Sequence, residues 1–263
     1  MRDNRPVPSV SAMNTYEFHP AAAQSPRQLA VITGASRGLG RALAAGLARA
    51  GWDLVIDARD GGALHDAART IREQAPGVTV TAVPGDVTDP THRAALAAAA
   101  ADGTALLVNN AGTLGTAPLP ALADYPPGEL RDALEVNVVA PVALIQLLLP
   151  WLRANGGAIL NVTSDAATEP YAGWGGYGAT KAALEQVSNV LAAEETSVRV
   201  WRFDPGDLRT DMHQAAFPGE DISDRPLPEA MVPAVLRLIG ERLPSGRYRA
   251  AEMPGAGAGA TIR

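Results

Sequence analysis

No cysteine occurs anywhere in the 263-residue chain, so disulfides, thiolate nucleophiles and cysteine metal ligation are excluded. Histidine is nearly as scarce: His19, His65, His92 and His213 stand singly, none at ligand spacing from another, and no metal site is expected. Basic residues number 22 against 28 acidic ones and form no run, which argues against a nucleic-acid or anionic-membrane surface. The N-terminus lacks the basic-then-apolar layout of a signal peptide, because Arg2, Arg5, Pro6 and Pro8 are followed by polar residues. Long apolar runs are missing too. The longest, Val138 to Leu152, contains Pro141, Gln146 and Pro150 and is too short to cross a bilayer, so it reads as a buried helix. A soluble cytoplasmic protein is expected.

What is present points to one large α/β domain. Apolar residues make up 47% of the chain, enough for a sizeable core, and 26 glycines with 21 prolines imply many turns. Residues 1–27 carry prolines and no sustained period and read as a flexible tail, with Met13 a second candidate start. The domain is expected over 28–251, and the Gly/Ala-rich stretch within 252–263 reads as disordered. Short apolar runs suited to strands begin at Leu29, Leu54, Val78, Leu106, Ala158 and Val198, with a final short strand expected at Arg247-Tyr248-Arg249. Helical stretches fall between them: Arg41–Ala50, Gly62–Gln74, one from Asp89-Pro90, one long helix over Gly128–Ala154, one from Tyr177 to Glu195, and Pro228–Gly240. Strands alternating with helices at these intervals predict a doubly wound parallel sheet of the Rossmann type.

Two stretches carry chemistry. After the first strand, Gly34-Ala35-Ser36-Arg37-Gly38-Leu39-Gly40 leads directly into a helix, a layout that aims free backbone N–H groups at a phosphate. An ordinary glycine-rich turn is the plainer reading. Later, a strand ends at Ser164 and a helix opens near Tyr177, with Lys181 one turn on, so phenol and ammonium share a helix face. A cation there favours phenolate over phenol; moving tyrosine from a pKa of ~10 to ~7 takes ~4 kcal/mol. Such a group trades protons with a substrate hydroxyl at working pH. Pro141 has no N–H, so the carbonyl of Asn137 loses its helical partner and is free to accept from a water, or the proline simply kinks the helix.

With Thr33-Gly34-Ala35-Ser36-Arg37-Gly38-Leu39-Gly40, Asn109-Asn110-Ala111-Gly112, Asn137, Ser164, Tyr177-x-x-x-Lys181 and Pro205-Gly206 in this order, the chain resembles the short-chain dehydrogenase/reductase family. The resemblance covers roughly residues 29–250 and implies a role for each matching residue. Tyr177 would be the general acid/base, and Lys181 would bind the nicotinamide ribose and lower the tyrosine pKa. Ser164 would hydrogen-bond the substrate oxygen, and Asn137 would hold a proton-relay water. Gly34, Ser36, Arg37, Gly38, Leu39 and Gly40 would cradle the pyrophosphate. Asp86 and Val87 would contact adenine, Asn110, Ala111 and Gly112 would line the adenosine ribose, and Pro205, Gly206, Leu208 and Thr210 would grip the nicotinamide end.

Charge decides the expected cofactor. NAD selection needs a carboxylate just past the second strand, where this chain reads Asp57-Ala58-Arg59, with alanine at the selecting position. Arg37 and Arg59 flank the expected 2′-phosphate and favour NADP(H). NAD(H) stays open, because a one-residue shift of the strand end brings the Asp57 carboxylate to the ribose. Trp174, Tyr177 and Ser164, with Met212 and Phe217 from a lid loop over 207–227, are expected to line the pocket of a small, partly apolar carbonyl or alcohol substrate. Apolar faces on the helices around Asn137 and after Tyr177 suggest a homodimer or homotetramer, although the chain lacks the family's terminal apolar strand and glycine pair. The expected activity is hydride transfer between NADP(H) and a carbonyl or secondary alcohol. An epimerase or dehydratase on the same scaffold, and a non-catalytic nucleotide sensor, are the alternatives.

Overall fold

Among the described residues, short runs rich in apolar side chains, and a last run, Gly246–Arg249, with two arginines, become the seven strands of one parallel sheet, and the helices between them cover both faces. The computed structural model describes residues 27–101 and 103–253; residues 1–26 and 254–263, on which the expected tails and the second start largely fall, lie outside the described residues. The strands are β1 (Leu29–Ile32), β2 (Asp53–Ala58), β3 (Val80–Pro84), β4 (Thr104–Asn109), β5 (Ala158–Val162), β6 (Arg199–Asp204) and β7 (Gly246–Arg249). They lie in the order β3-β2-β1-β4-β5-β6-β7. Every adjacent pair is parallel. Ala30, Val31 and Ile32 of β1 are fully buried, as a central strand covered on both faces requires.

Side chains alternate between the faces. Ile32, Leu54, Ile56, Leu106, Leu160, Trp201 and Phe203 pack with Leu43 and Leu47 of α1 (Gly38–Arg49), Leu64 and Ile71 of α2 (Gly61–Gln74), and Val235 and Leu238 of α8 (Val232–Gly240). Val31, Val55, Leu107, Ile159 and Val200 face Leu96 of α3 (Pro90–Ala99) and Leu144, Leu148 and Leu152 of α5 (Ala140–Ala154). The polar residues before two helices serve as caps: Asp60 accepts from Ala63 N–H, and Asp89, with Pro90 behind it, accepts from Thr91 N–H.

The long helix expected over Gly128–Ala154 is instead three segments. α4 (Pro127–Leu134) passes into a wider π turn at Glu135–Val139 and then α5. The Ala140 N–H reaches back to the Glu135 carbonyl. Pro141 is the cause on hand: without an N–H it cannot continue the ordinary ladder to Asn137, and the turn widens where that bond is missing. Residues 127–154 are long and apolar enough to cross a membrane. Only one face of α5 is buried, however; Leu144, Ile145 and Leu148 pack in the core while Leu147, and Val139 just before the helix, stay exposed. The expected loop over 207–227 contains a short helix, α7 (Asp211–Ala216), because Thr210 caps it by accepting from His213 N–H.

Candidate active site

The chain crosses from β3 at one edge back to β4 beside β1, so the carboxyl ends of β1 and β4 flank the crevice where this sheet type takes ligands. Ser164 stands just past β5. Its hydroxyl donates to Asp165 Oδ1 at 3.0 Å and accepts from Ala166 N–H at 3.2 Å. α6 (Gly175–Glu194) starts with two glycines, and close packing explains the second: a side chain at Gly176 would strike the Tyr125 ring. The helix therefore approaches closely enough to bury Tyr177 and Lys181 on one face, at 8% and 4% exposure. The Lys181 ammonium lies 5.6 Å from the centre of the Tyr177 ring and donates to the Val162 carbonyl at 2.9 Å.

Burial changes the expected acid–base state. The Tyr177 phenol is pushed up, not down: desolvation of the phenolate dominates, the neighbouring Ser164 hydroxyl opposes it, and the Asp204 and Asp165 carboxylates add to it. Desolvation also pulls Lys181 down to about 8. The sequence expectation of a lysine-lowered phenol is therefore corrected for the chain by itself. Water exclusion, with two carboxylates beside the phenol, accounts for the direction.

The Asn137 side chain is 1% exposed and fully engaged by protein. Its Oδ1 accepts from Thr113 N–H at 2.9 Å, and its Nδ2 donates to the Thr113 carbonyl at 2.8 Å and the Thr180 hydroxyl at 2.9 Å. Any relay water would have to use its main-chain carbonyl. Gly112 comes close to both Asn137 and Lys181, since a Cβ there would lie 3.2 Å from Asn137 Oδ1 and 3.7 Å from Lys181 Nζ. Structure thus gathers Asn137, Gly112, Ser164, Tyr177 and Lys181 in one place.

The glycine-rich turn is held from beneath. Thr33 Oγ1 accepts from Asn110 N–H and Ala111 N–H, each at 3.0 Å, and the Asn110 amide donates to the carbonyls of Thr33 and Gly34. Gly34 and Gly38 have φ of +67° and +56°, which favour glycine, and a Cβ on Gly40 would lie 2.4 Å from the Gly34 carbonyl oxygen. Ser36 lies half-buried in the turn and Leu39 is buried in the core. At the α1 N-terminus, Arg37 gives no side-chain cap and no acid stands in the first turn. Uncapped N–H groups at the positive end of a helix fit a pyrophosphate, so the residues present suit a dinucleotide.

Asp57 proves to be buried at 0% exposure, with its carboxylate turned inward. It accepts from Gly34 N–H at 2.7 Å and meets His92 Nε2 at 3.0 Å. β2 runs to Ala58, which leaves Arg59 as the exposed residue at its end. The one-residue ambiguity in the sequence reading closes: the Asp57 carboxylate is engaged by Gly34 and His92 and does not face outward at the strand end. Asp86 is held by Thr88, whose N–H and hydroxyl each donate at 2.9 Å; these bonds keep its carboxyl below the usual range, the backbone one foremost. The Val87 carbonyl accepts from buried Arg93 at 2.7 Å.

On the other side of the crevice, Gly206 turns at φ +68° with its N–H donating to Asp204, Leu208 is buried, and Thr210 is occupied as the α7 cap. Arg37 is drawn to Asp211 at 2.9 Å, an exposed pair of little energetic weight. Trp174 stacks edge-on against Tyr177 at 5.7 Å, and Phe217 of the lid packs on Trp174 at 5.9 Å. Met212, also expected to line the pocket, is 39% exposed. Sequence reasoning missed Glu185, Asp204 and Arg247 as neighbours of the site, and it weighed Asp57 only as a ribose ligand, not as a support for Gly34.

The family model for short chain dehydrogenases matches residues 28–221, and the chain belongs to that family. Sepiapterin reductase of Bos taurus is 37% identical over 203 residues, covering 72% of this chain and 76% of that protein. Among solved structures, an alcohol dehydrogenase of Thermococcus sibiricus complexed with 5-hydroxy-NADP superposes with a TM-score of 0.77 at 28% identity, over 85% of this chain and 95% of that one. A short chain dehydrogenase of Shigella flexneri complexed with NADP gives 0.79 at 29% identity, over 84% and 95%.

A buried amine held at about 8, against 10.5 when unfolded, destabilises the fold fully below pH 8 and progressively less up to pH 10.5. That burden is on the order of 3 kcal/mol, reduced by roughly 1–2 kcal/mol for the Val162 bond that any replacement loses. Lys181→Met is expected to raise Tm at pH 7, with the gain shrinking between pH 8 and 10. Calorimetry across that range checks it; a lower Tm at pH 7 would contradict the assignment.

Proposed function

We propose that the chain is an NADPH-dependent oxidoreductase that reduces the carbonyl of a small, partly apolar substrate to a secondary alcohol. One observation carries this reading: Ser164 and Lys181 flank the buried Tyr177, and the glycine turn opens a helix whose N-terminus is left uncapped. NADPH, when bound, supplies the hydride. Tyr177 gives its proton to the substrate oxygen as the hydride arrives. Ser164, which donates to Asp165 in the free chain, turns that hydrogen to the same oxygen and orients the carbonyl. Lys181 stabilises the phenolate left behind. Trp174 and Phe217 supply an apolar wall next to the tyrosine, which keeps water from the reacting carbon and suits an apolar portion of the substrate.

A phenol that burial keeps neutral is an acid at neutral pH rather than a base, which favours the reducing direction. The inward turn of Asp57 and the exposed Arg59 support NADPH over NADH. The NADP named in the Thermococcus sibiricus and Shigella flexneri structures supports the same choice.

Consumption of NADPH and NADH against a panel of ketones, aldehydes and diketones tests the reading. Tyr177→Phe should lower kcat about 1,000-fold, within the usual worth of a general acid, while NADPH binding stays within a few-fold of wild type. Retained turnover in that variant would remove the tyrosine from the chemistry. Arg59→Ala should raise the KM for NADPH roughly 10- to 100-fold and leave that for NADH nearly unchanged. An equal effect on both cofactors would contradict Arg59 as the 2′-phosphate ligand.

A further inference from the structure

We propose that Arg247, on the final strand, is a positioning residue for the catalytic set: its one guanidinium ties the main chain of Ser164 to the carboxylates of Asp204 and Glu185. The inference rests on the reading of Ser164, Tyr177 and Lys181 given above and adds a residue to it. Arg247 Nε donates to Glu185 Oε1 at 2.7 Å, and its terminal nitrogen donates to Asp204 Oδ2 at 3.0 Å and to the Ser164 carbonyl at 3.1 Å. Each anchor belongs to a different part of the machinery. Glu185 lies one turn beyond Lys181 on α6, Asp204 precedes Pro205-Gly206 at the end of β6, and Ser164 follows β5.

The cluster is dry and specific. The side chains of Arg247, Glu185 and Asp204 are 18%, 11% and 5% exposed. Glu185 Oε1 also accepts from Thr163 Oγ1 at 2.9 Å, which links the helix to the residue before the serine. Arg202 stands 3.7 Å from Glu185 and Arg249 stands 3.9 Å from Asp204, too far for good hydrogen bonds. Arg247 alone therefore joins all three anchors. A planar fork with several fixed donors can reach three acceptors in different directions, whereas an ammonium on a flexible stem is a point charge.

Charge makes the arrangement more than a brace. The titratable groups around Tyr177 are Lys181 on its own helix, Asp165 in the β5 loop and Asp204 on β6; Tyr125 packs on the α6 N-terminus, and His213 reaches the site only through Phe217. Asp165 and Asp204 both oppose the phenolate. Arg247 is the cation in direct contact with Asp204, so removing it unmasks that carboxylate toward Tyr177.

The test is steady-state kinetics of Arg247→Met, Arg247→Lys and the double variant Arg247→Met/Asp204→Asn with NADPH, and in reverse with NADP and alcohol, from pH 6 to 10. For Arg247→Met, kcat should fall about 10- to 100-fold, the scale of a small misplacement of reacting groups, with NADPH KM changed less than about three-fold. Its alcohol-oxidation profile should move to higher pH, and the double variant should bring the profile back toward wild type. Arg247→Lys should keep the wild-type pH profile and lose kcat, which separates the fork from the charge. If Arg247→Met does not fold, Arg247→Lys decides: wild-type kcat overturns the proposal, a lowered kcat with an unmoved profile supports it. Wild-type kinetics in Arg247→Met beside an inactive Tyr177→Phe would overturn the proposal alone; an active Tyr177→Phe would overturn the reading beneath it.

Discussion

The burial of two ionisable side chains, Tyr177 and Lys181, on one face of α6 is the constraint from which the rest of the site follows. Water exclusion disfavours phenolate and ammonium alike, so neither group holds its charge as it would at the surface. The phenol therefore keeps its proton at neutral pH and recovers it readily after donation. The consequence is a buried polar interior in which most groups find protein partners, Asn109 Oδ1 being an exception. Val162 takes the lysine, Thr113 and Thr180 take Asn137, and a ladder from Asn109 through Asn161 to Ser188 crosses from β4 to α6. Because these partners come from four elements, α6 can sit in only one register against the sheet.

The same logic governs the nucleotide side. Thr33 and Asn110 fasten the start of the glycine turn to the end of β4, and Asp57 fastens it to β2 through Gly34. Support comes wholly from below, so the upper face of the turn, with the uncapped start of α1, is left for an anion. His92 closes this support by meeting the second Asp57 oxygen from α3, and burial raises the carboxyl of Asp57 despite both partners.

The sheet was legible in the sequence because most strands are short runs rich in apolar residues with turn signals beside the helices; the last, Gly246–Arg249, carries two arginines and gave the weakest signal. The site's core was legible for a different reason: Ser164, Tyr177 and Lys181 lie on one strand end and one helix face, where local spacing fixes direction. What escaped was non-local or depended on a single bond. The π turn at Glu135–Val139 needed the missing N–H of Pro141 to be weighed against the ladder on either side. The direction of Asp57 depended on where β2 ends, and that is set by pairing with β1 and β3. Arg247 belongs to a strand far along the chain from Ser164, and only the β6–β7 pairing brings it beneath the serine. The phenol's proton affinity also could not be read from the Tyr177–Lys181 spacing, since it depends on the desolvation of both groups.

The measurement that bears most directly on this account is the pH dependence of kcat/KM in both directions with the same ketone–alcohol pair. If burial holds Tyr177 as a neutral acid, carbonyl reduction should stay on a plateau through neutral pH while alcohol oxidation climbs steadily with pH. A reduction rate that already falls between pH 6 and 7, with oxidation flat over that range, would mean the phenol ionises near neutrality and would contradict the account.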